Sequence, residues 1–172
     1  LAQADGPTDR LAAVLAAFPG TPVSAPAGWR DGPEPCLAGQ TWAWDGVVFR
    51  VMHPPRHFPY LGNEASCVLR VEAAGGASLL AGDIGAVVER RLLREQPDGL
   101  PADILVVPHH GSRTSSSGGF VDAVAPRFAL FGVGHRNRFG FPHPDVQARY
   151  DAAGAVSLQS SAERFTRLRS AD

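Results

Sequence analysis

Between Asp103 and Pro108 the chain reads Ile104-Leu105-Val106-Val107, an apolar run with no polar interruption. Strict alternation would describe a strand with one wet face. An unbroken run describes a strand covered on both faces. That requirement restricts the fold to layers, with a sheet on the inside. The run ends on Pro108-His109-His110-Gly111-Ser112, and a second apolar segment, Leu79-Leu80-Ala81-Gly82, ends on Asp83. Two buried strands that each terminate in a potential metal ligand point to a site at the strand exits. Imidazole and carboxylate together suit zinc, manganese or iron.

With 172 residues, the chain is read as a single domain, 1–172, large enough for a sizeable core. A composition of 44% hydrophobic and 19% charged residues is globular. The net charge of -1 supplies no global basic field, so any nucleic-acid surface has to be local. No run reaches the length of a membrane span, and no signal segment opens the chain. Cys36 and Cys67 form no CxxC pair, and the strand-like setting of Cys67 reads as a small buried thiol. On that reading the compartment cannot be taken from cysteine.

The pattern predicts hairpins first and alternating strands and helices afterwards. A short helix is expected over Leu11 to Phe18, stopped by Pro19-Gly20. Asp45-Gly46 between Thr41-Trp-Ala-Trp44 and Val47 to Met52 is a tight-turn signal. His53 to Gly62 reads as a loop, and Ser66 to Glu72 pairs through Gly75-Gly76 with Ala77 to Ala81. Helices are expected over Ile84 to Glu95, Ser117 to Val124 and Pro144 to Ala153. Strands are expected over Asp103 to Val107 and Arg127 to Val133, with closing strands at Ala155 to Leu158 and Arg164 to Leu168. The result is a mixed sheet with helices against it and the chemistry in the strand-to-helix loops.

Asp83 either binds metal or caps the helix that follows it. His109 and His110, if extended, point opposite ways, so one is a metal ligand and the other orients it or meets substrate. His143 is held between Pro142 and Pro144, just before a helix start. His135, His53 and His57 are not expected to be ligands. Arg113, Arg136 and Arg138 share the same loops and are read as phosphate holders or as solvated surface charge.

These residues carry a resemblance. Asn63-Glu-Ala-Ser66-Cys-Val-Leu-Arg70, Leu80-Ala-Gly-Asp83-Ile84, Pro108-His-His-Gly-Ser-Arg-Thr-Ser-Ser-Ser117 and Gly134-His-Arg-Asn-Arg-Phe-Gly140 together resemble the ComEC family. The likeness is to the C-terminal metallo-β-lactamase-like domain of that DNA-internalisation competence protein, in its proteobacterial form. Cys36-Leu-Ala-Gly-Gln-Thr-Trp-Ala-Trp-Asp-Gly46 and His53-Pro-Pro55 are also similar to stretches of the family. The resemblance implies an α/β fold, a metallo-β-lactamase-like αβ/βα sandwich with its N-terminal part incomplete. It implies a role in natural transformation within an inner-membrane channel that passes single-stranded DNA. The domain would be extracytoplasmic, in the periplasm, working with the membrane channel part of the same polypeptide and with other DNA-uptake proteins.

Carried over residue by residue, the resemblance makes Asp83, His109 and His143 metal residues, with manganese or zinc as the divalent ion and two ions in the intact domain. His110, Asn63 and Ser112 fall in the catalytic site, and Arg113, Arg136 and Arg138 on DNA. The implied reaction is metal-assisted hydrolysis of the untransported strand. Two departures stand out. Phe141 occupies the place where the family often has histidine-proline after Arg-Phe-Gly, and the histidine follows two residues later. The first metal motif, a His-x-His/Asp-x-Asp-His loop, has no counterpart among Leu1 to Arg10. Omitted segments are the favoured explanation over a decayed metal site. Three function classes follow: a metal-dependent nuclease, a metal-free domain that guides DNA or scaffolds the channel, and another hydrolase of the fold, a lactonase or esterase.

Overall fold

The computed structural model describes residues 16–26, 34–134 and 137–160. Two short strands, β1 (Ser24–Ala25) and β2 (Glu34–Pro35), pair in parallel by themselves. The main sheet places seven strands side by side in chain order. They are β3 (Thr41–Trp44), β4 (Val47–His53), β5 (Val68–Ala73), β6 (Gly76–Leu80), β7 (Ile104–Val106), β8 (Phe128–Phe131) and β9 (Val156–Gln159). From β3 to β6 the pairing is antiparallel, and from β6 to β9 it is parallel. Parallel neighbours need crossovers, which are α1 (Ala86–Glu95), α2 (Gly118–Val124) and α3 (Pro144–Ala152).

Local chemistry accounts for these elements. Asp45 and Gly46 take φ of 49° and 77°, the two positive values that a tight hairpin turn requires. Pro144 opens α3 behind His143, whose ring accepts from Asp145 N, and Gly154 turns the chain beyond the helix at φ 81°. Of the expected first helix, Ala16 and Ala17 are helical and 11–15 lie outside the described residues, as does the expected strand from Arg164 to Leu168. His53 is not a loop residue: it ends β4 and is buried.

The three helices pack on one face of the sheet. Leu79, Leu105, Ala129 and Phe131 meet Leu92, Phe120 and Tyr150 there in one buried cluster. The opposite face is apolar too. Val51, Leu69, Leu80, Val106, Leu130 and Leu158 are successive cross-strand neighbours, one row spanning six strands. The next row is Phe49, Val71, Ser78, Ile104, Phe128 and Val156. Apart from buried Val51 and exposed Val156, these side chains are only partly buried. A sheet with helices on one side and a second apolar face is consistent with an αβ/βα sandwich. Expressed alone, the 172 residues are therefore expected to self-associate. Sedimentation velocity at rising concentration should show an increasing weight-average sedimentation coefficient, and lysine at Val71 and Ile104 should suppress the rise. A chain that stays monomeric and binds no apolar dye would show that this face is covered.

One expectation is corrected. Cys67 is not a free buried thiol: it forms a disulfide with Cys36, 31 residues away, with the two Cα atoms 6.2 Å apart. The pairing follows from the register of the chain. Leu37 to Gln40 runs beside β4, with Gly39 N bonded to Val51 O and Val51 N bonded to Gln40 O. Cys67 immediately precedes β5, the other neighbour of β4. Distance along the sequence carries no hint of that proximity.

Candidate functional site

Because β6 and β7 are adjacent and parallel, their C-terminal ends lie side by side. His109 N donates to Gly82 O at 2.9 Å and locks the two exits together. Asp83 N donates to Ser66 Oγ at 3.2 Å, and Ser66 Oγ donates to Asn63 O at 2.7 Å. Gly82 sits at φ +61°, and a Cβ there would lie 2.8 Å from the Ser66 Cβ, so the close approach of these segments requires glycine. The Asn63–Ser66 turn is braced from behind. His53 Nε2 lies 2.9 Å from Glu64 O, and Gly85 N donates to the Glu64 carboxylate at 3.3 Å. Burial, with Arg91 nearby, lowers the His53 pKa to about 4 and keeps it a neutral strut.

The histidine pair is not extended. His109 and His110 have φ of 50° and 55°, followed by Gly111 at 83°, three consecutive residues in the left-handed region. For the two histidines this stores about 1–3 kcal/mol each, a cost that persists only where surrounding bonds over-determine the backbone. Those bonds are His109 N to Gly82 O, Ser112 N to His109 O, and His143 N to Gly111 O. The turn sends the two rings to different partners. His110 Nε2 stands 3.6 Å from Asp83 Oδ1. His109 lies between Asn63 Nδ2, 3.3 Å from its Nε2, and Thr114 Oγ1, 3.3 Å from its Nδ1.

Of the residues expected in the site, Asp83 and His110 form one pair, and Asn63 and His109 another. Ser112 joins the second group through Thr114, with 3.1 Å between the hydroxyls. His143 lies beside the turn by its backbone, and its ring Nδ1 is engaged by neighbours of its own loop region. Arg113 Nε donates to His143 Nδ1 at 3.2 Å, and Asp145 is 3.6 Å from the same nitrogen. Arg138 is exposed over the ring of Phe139. Arg136 and His135 lie outside the described residues. Among the described residues no group of three His, Cys, Asp or Glu side chains gathers to hold an ion.

The sequence reading passed over Glu89. It is fully buried on α1, and its carboxylate accepts the backbone N–H groups of Ser116 and, at 2.8 Å, Ser117. From α3, Arg149 donates to Ser116 O at 2.8 Å and Tyr150 Oη to Ser116 Oγ at 2.9 Å. Helices on both sides thus pin the loop that carries Ser112 to Thr114. A charged residue at an apolar helical position, four residues before Leu93, was the available signal. Burial pushes the Glu89 pKa up against the lowering effect of the N–H bonds, with Glu64 adding repulsion. The folded state then holds this proton more tightly than the unfolded chain. The Glu89 contribution to stability is full at acid pH and declines as pH rises through the raised value. Glu89→Gln, neutral throughout, should lack that decline. From acid to neutral pH the urea midpoint of wild type should fall relative to that of the variant, and a constant difference would contradict the assignment.

No family model matches the chain. Against curated proteins, 130 residues are 40% identical to "Competence protein ComA" of Neisseria gonorrhoeae, covering 76% of this chain and 19% of that protein. Over 139 residues it is 32% identical to "Recombination protein 2" of Haemophilus influenzae, covering 79% and 17%. Over 144 residues it is 33% identical to the uncharacterized protein YcaI of Escherichia coli, covering 84% and 19%. The chain thus spans about a fifth of the length of these relatives. The similarity covers most of the chain, and the chain belongs to the ComEC family of competence proteins.

Proposed function

We propose that this chain is the DNA-processing part of a membrane-associated DNA-uptake protein. The side-chain cluster at the β6 and β7 exits would hydrolyse phosphodiester bonds of the strand that is not transported. The names of the competence and recombination relatives support the uptake role. The observation that carries the chemistry is the His109-His110 turn, held in a strained backbone so that His110 faces the Asp83 carboxylate. Strain retained by a dense set of hydrogen bonds marks a functional site. The Cys36–Cys67 disulfide supports an oxidising compartment and hence the periplasmic side of the inner membrane. No described helix is long and apolar enough to cross a membrane, so the channel partner is assigned to other parts of the same polypeptide, alongside other uptake proteins.

Asp83 and His110 fit manganese or zinc in kind, a carboxylate with an imidazole, and fall short in number. Further ligands would have to come from residues beyond those described. A bound ion would supply an activated water and screen phosphate charge. The chain's own residues do the rest. His109, oriented by Asn63 and Thr114, faces the same mouth and can exchange a proton there. Arg113, two-thirds exposed, can turn from Asp145 to a flanking phosphate. His143 positions Arg113 and holds the turn through its backbone. The second reading, a metal-free guide for DNA, is favoured by one observation: Asn63 and Thr114 engage both ring nitrogens of His109.

The intact protein separates the readings. Purified and analysed for metal, it should retain manganese or zinc and cut DNA, and a chelator should abolish cutting. Retention of no metal and absence of metal-dependent cleavage would overturn the nuclease reading in favour of the guide.

A further inference from the structure

The loop after β8 ends in a turn that displays aromatic rings. Asn137 closes it from both sides: Nδ2 donates to Phe141 O at 2.7 Å, and Oδ1 accepts from Phe141 N at 2.8 Å. Gly140 reverses the chain at φ 66°. Phe139 stands at the tip with 64% of its surface exposed. Its ring is within 19° of parallel to that of Phe141, with centroids 5.7 Å apart. Phe141 packs against the main core and meets His109 edge-on at 6.0 Å. On the outer side, the Arg138 guanidinium carbon lies 4.9 Å from the centre of the Phe139 ring.

His109, Phe141, Phe139 and Arg138 therefore make a ladder that leads from the candidate site to the surface. Phe141 has a packing role, but nothing in the core accounts for Phe139. A large apolar ring exposed to water beside the candidate site, with a cation over it, has the character of a stacking surface. Two arginines flank it, Arg138 on the ring and Arg113 beside His143, which continues the same loop. The combination suits a chain that alternates flat rings and negative charges.

We propose that Phe139 is a stacking platform for one nucleobase of single-stranded DNA, which sets the strand's phosphates beside the Asp83–His110 pair. This rests on the DNA-processing reading and adds to it the state of the substrate and a residue that selects it. Every base has a π-face, so the platform tolerates any sequence. Bases inside a duplex are already stacked on each other, so the platform discriminates against paired DNA. Arg138, exposed and set over the Phe139 ring, gives up its place to the base and pairs with the flanking phosphate.

Binding by the intact protein tests this, with fluorescence anisotropy of a labelled oligothymidylate and of a hairpin duplex. Phe139→Ala should weaken oligothymidylate binding about ten-fold, and duplex binding by less than about two-fold. Phe139→Leu should behave like alanine because it keeps the bulk and loses the π-face. Phe139→Trp should restore affinity, with tryptophan emission quenched on binding. The alanine deficit should be the same at low and high salt, since stacking releases no counterions, whereas Arg138→Gln should flatten the salt dependence. Phe139 is exposed, so none of these changes threatens the fold. Equal binding by wild type and Phe139→Ala would overturn the proposal and point to a protein partner for the ring. Equal losses for both DNAs, or no oligothymidylate binding by the wild type, would also overturn it. Binding needs no hydrolysis, so the platform survives failure of the nuclease reading, and its own failure leaves cleavage at Asp83 standing.

Discussion

Alanine at Asp83 is expected to lower metal-dependent DNA cleavage by the intact protein at least about 1,000-fold, roughly 4 kcal/mol of transition-state stabilisation, while DNA affinity changes little. The expectation comes from placement. Asp83 sits where β6 ends, its backbone anchored through Ser66 and its carboxylate facing His110. Arg113 and Arg138, the exposed cations that would meet phosphates, are untouched by the substitution. His110→Ala should cost a comparable factor, and the double variant should lose little more than either single one, because both residues serve one unit. His143→Ala should cost far less, since its ring serves Arg113. Thermal melting should show each variant folded. Cleavage by Asp83→Ala at the wild-type rate would remove this pair from catalysis.

The second large effect concerns stability. Reducing the Cys36–Cys67 bond, or replacing both cysteines with serine, releases a loop of 31 residues. Chain-entropy arguments put the loss at about 3.5 kcal/mol, a drop in Tm of about 10 °C for a domain of this size. Calorimetry with and without reductant measures it directly. The loss should fall on the β3–β5 end of the sheet, where Leu37 to Gln40 runs beside β4. A Tm unchanged by reductant would show that β-pairing alone holds that segment.

Much of the fold was legible because local signals agree with the tertiary outcome. Asp45-Gly46 forms the tight turn, Pro144 and Gly154 bound the last helix, and the apolar Ile104–Val106 run is a central strand, buried at Leu105 on its helix-covered face. The site was legible as a set of residues and less so as a geometry. Adjacent histidines were expected to alternate as on a strand, but the left-handed turn at His109 and His110 overrides that rule. His110 rather than His109 therefore meets Asp83. What the sequence hides are contacts made by residues far apart: Cys36 with Cys67, Asn63 with His109, and Glu89 with Ser116 and Ser117. Each depends on which strands and helices become neighbours, and periodicity does not encode that.

The strands of the main sheet neighbour one another in the order in which they occur in the chain. A sheet built this way can be laid down from one edge as the polypeptide emerges, each new strand finding its template already in place. Cys67 precedes β5, and Asp83, His109 and His110 all come later. The covalent clasp can therefore close on the first strands before Asp83 or either histidine of the turn has been delivered. The chemistry is then assembled on a foundation that is already fastened.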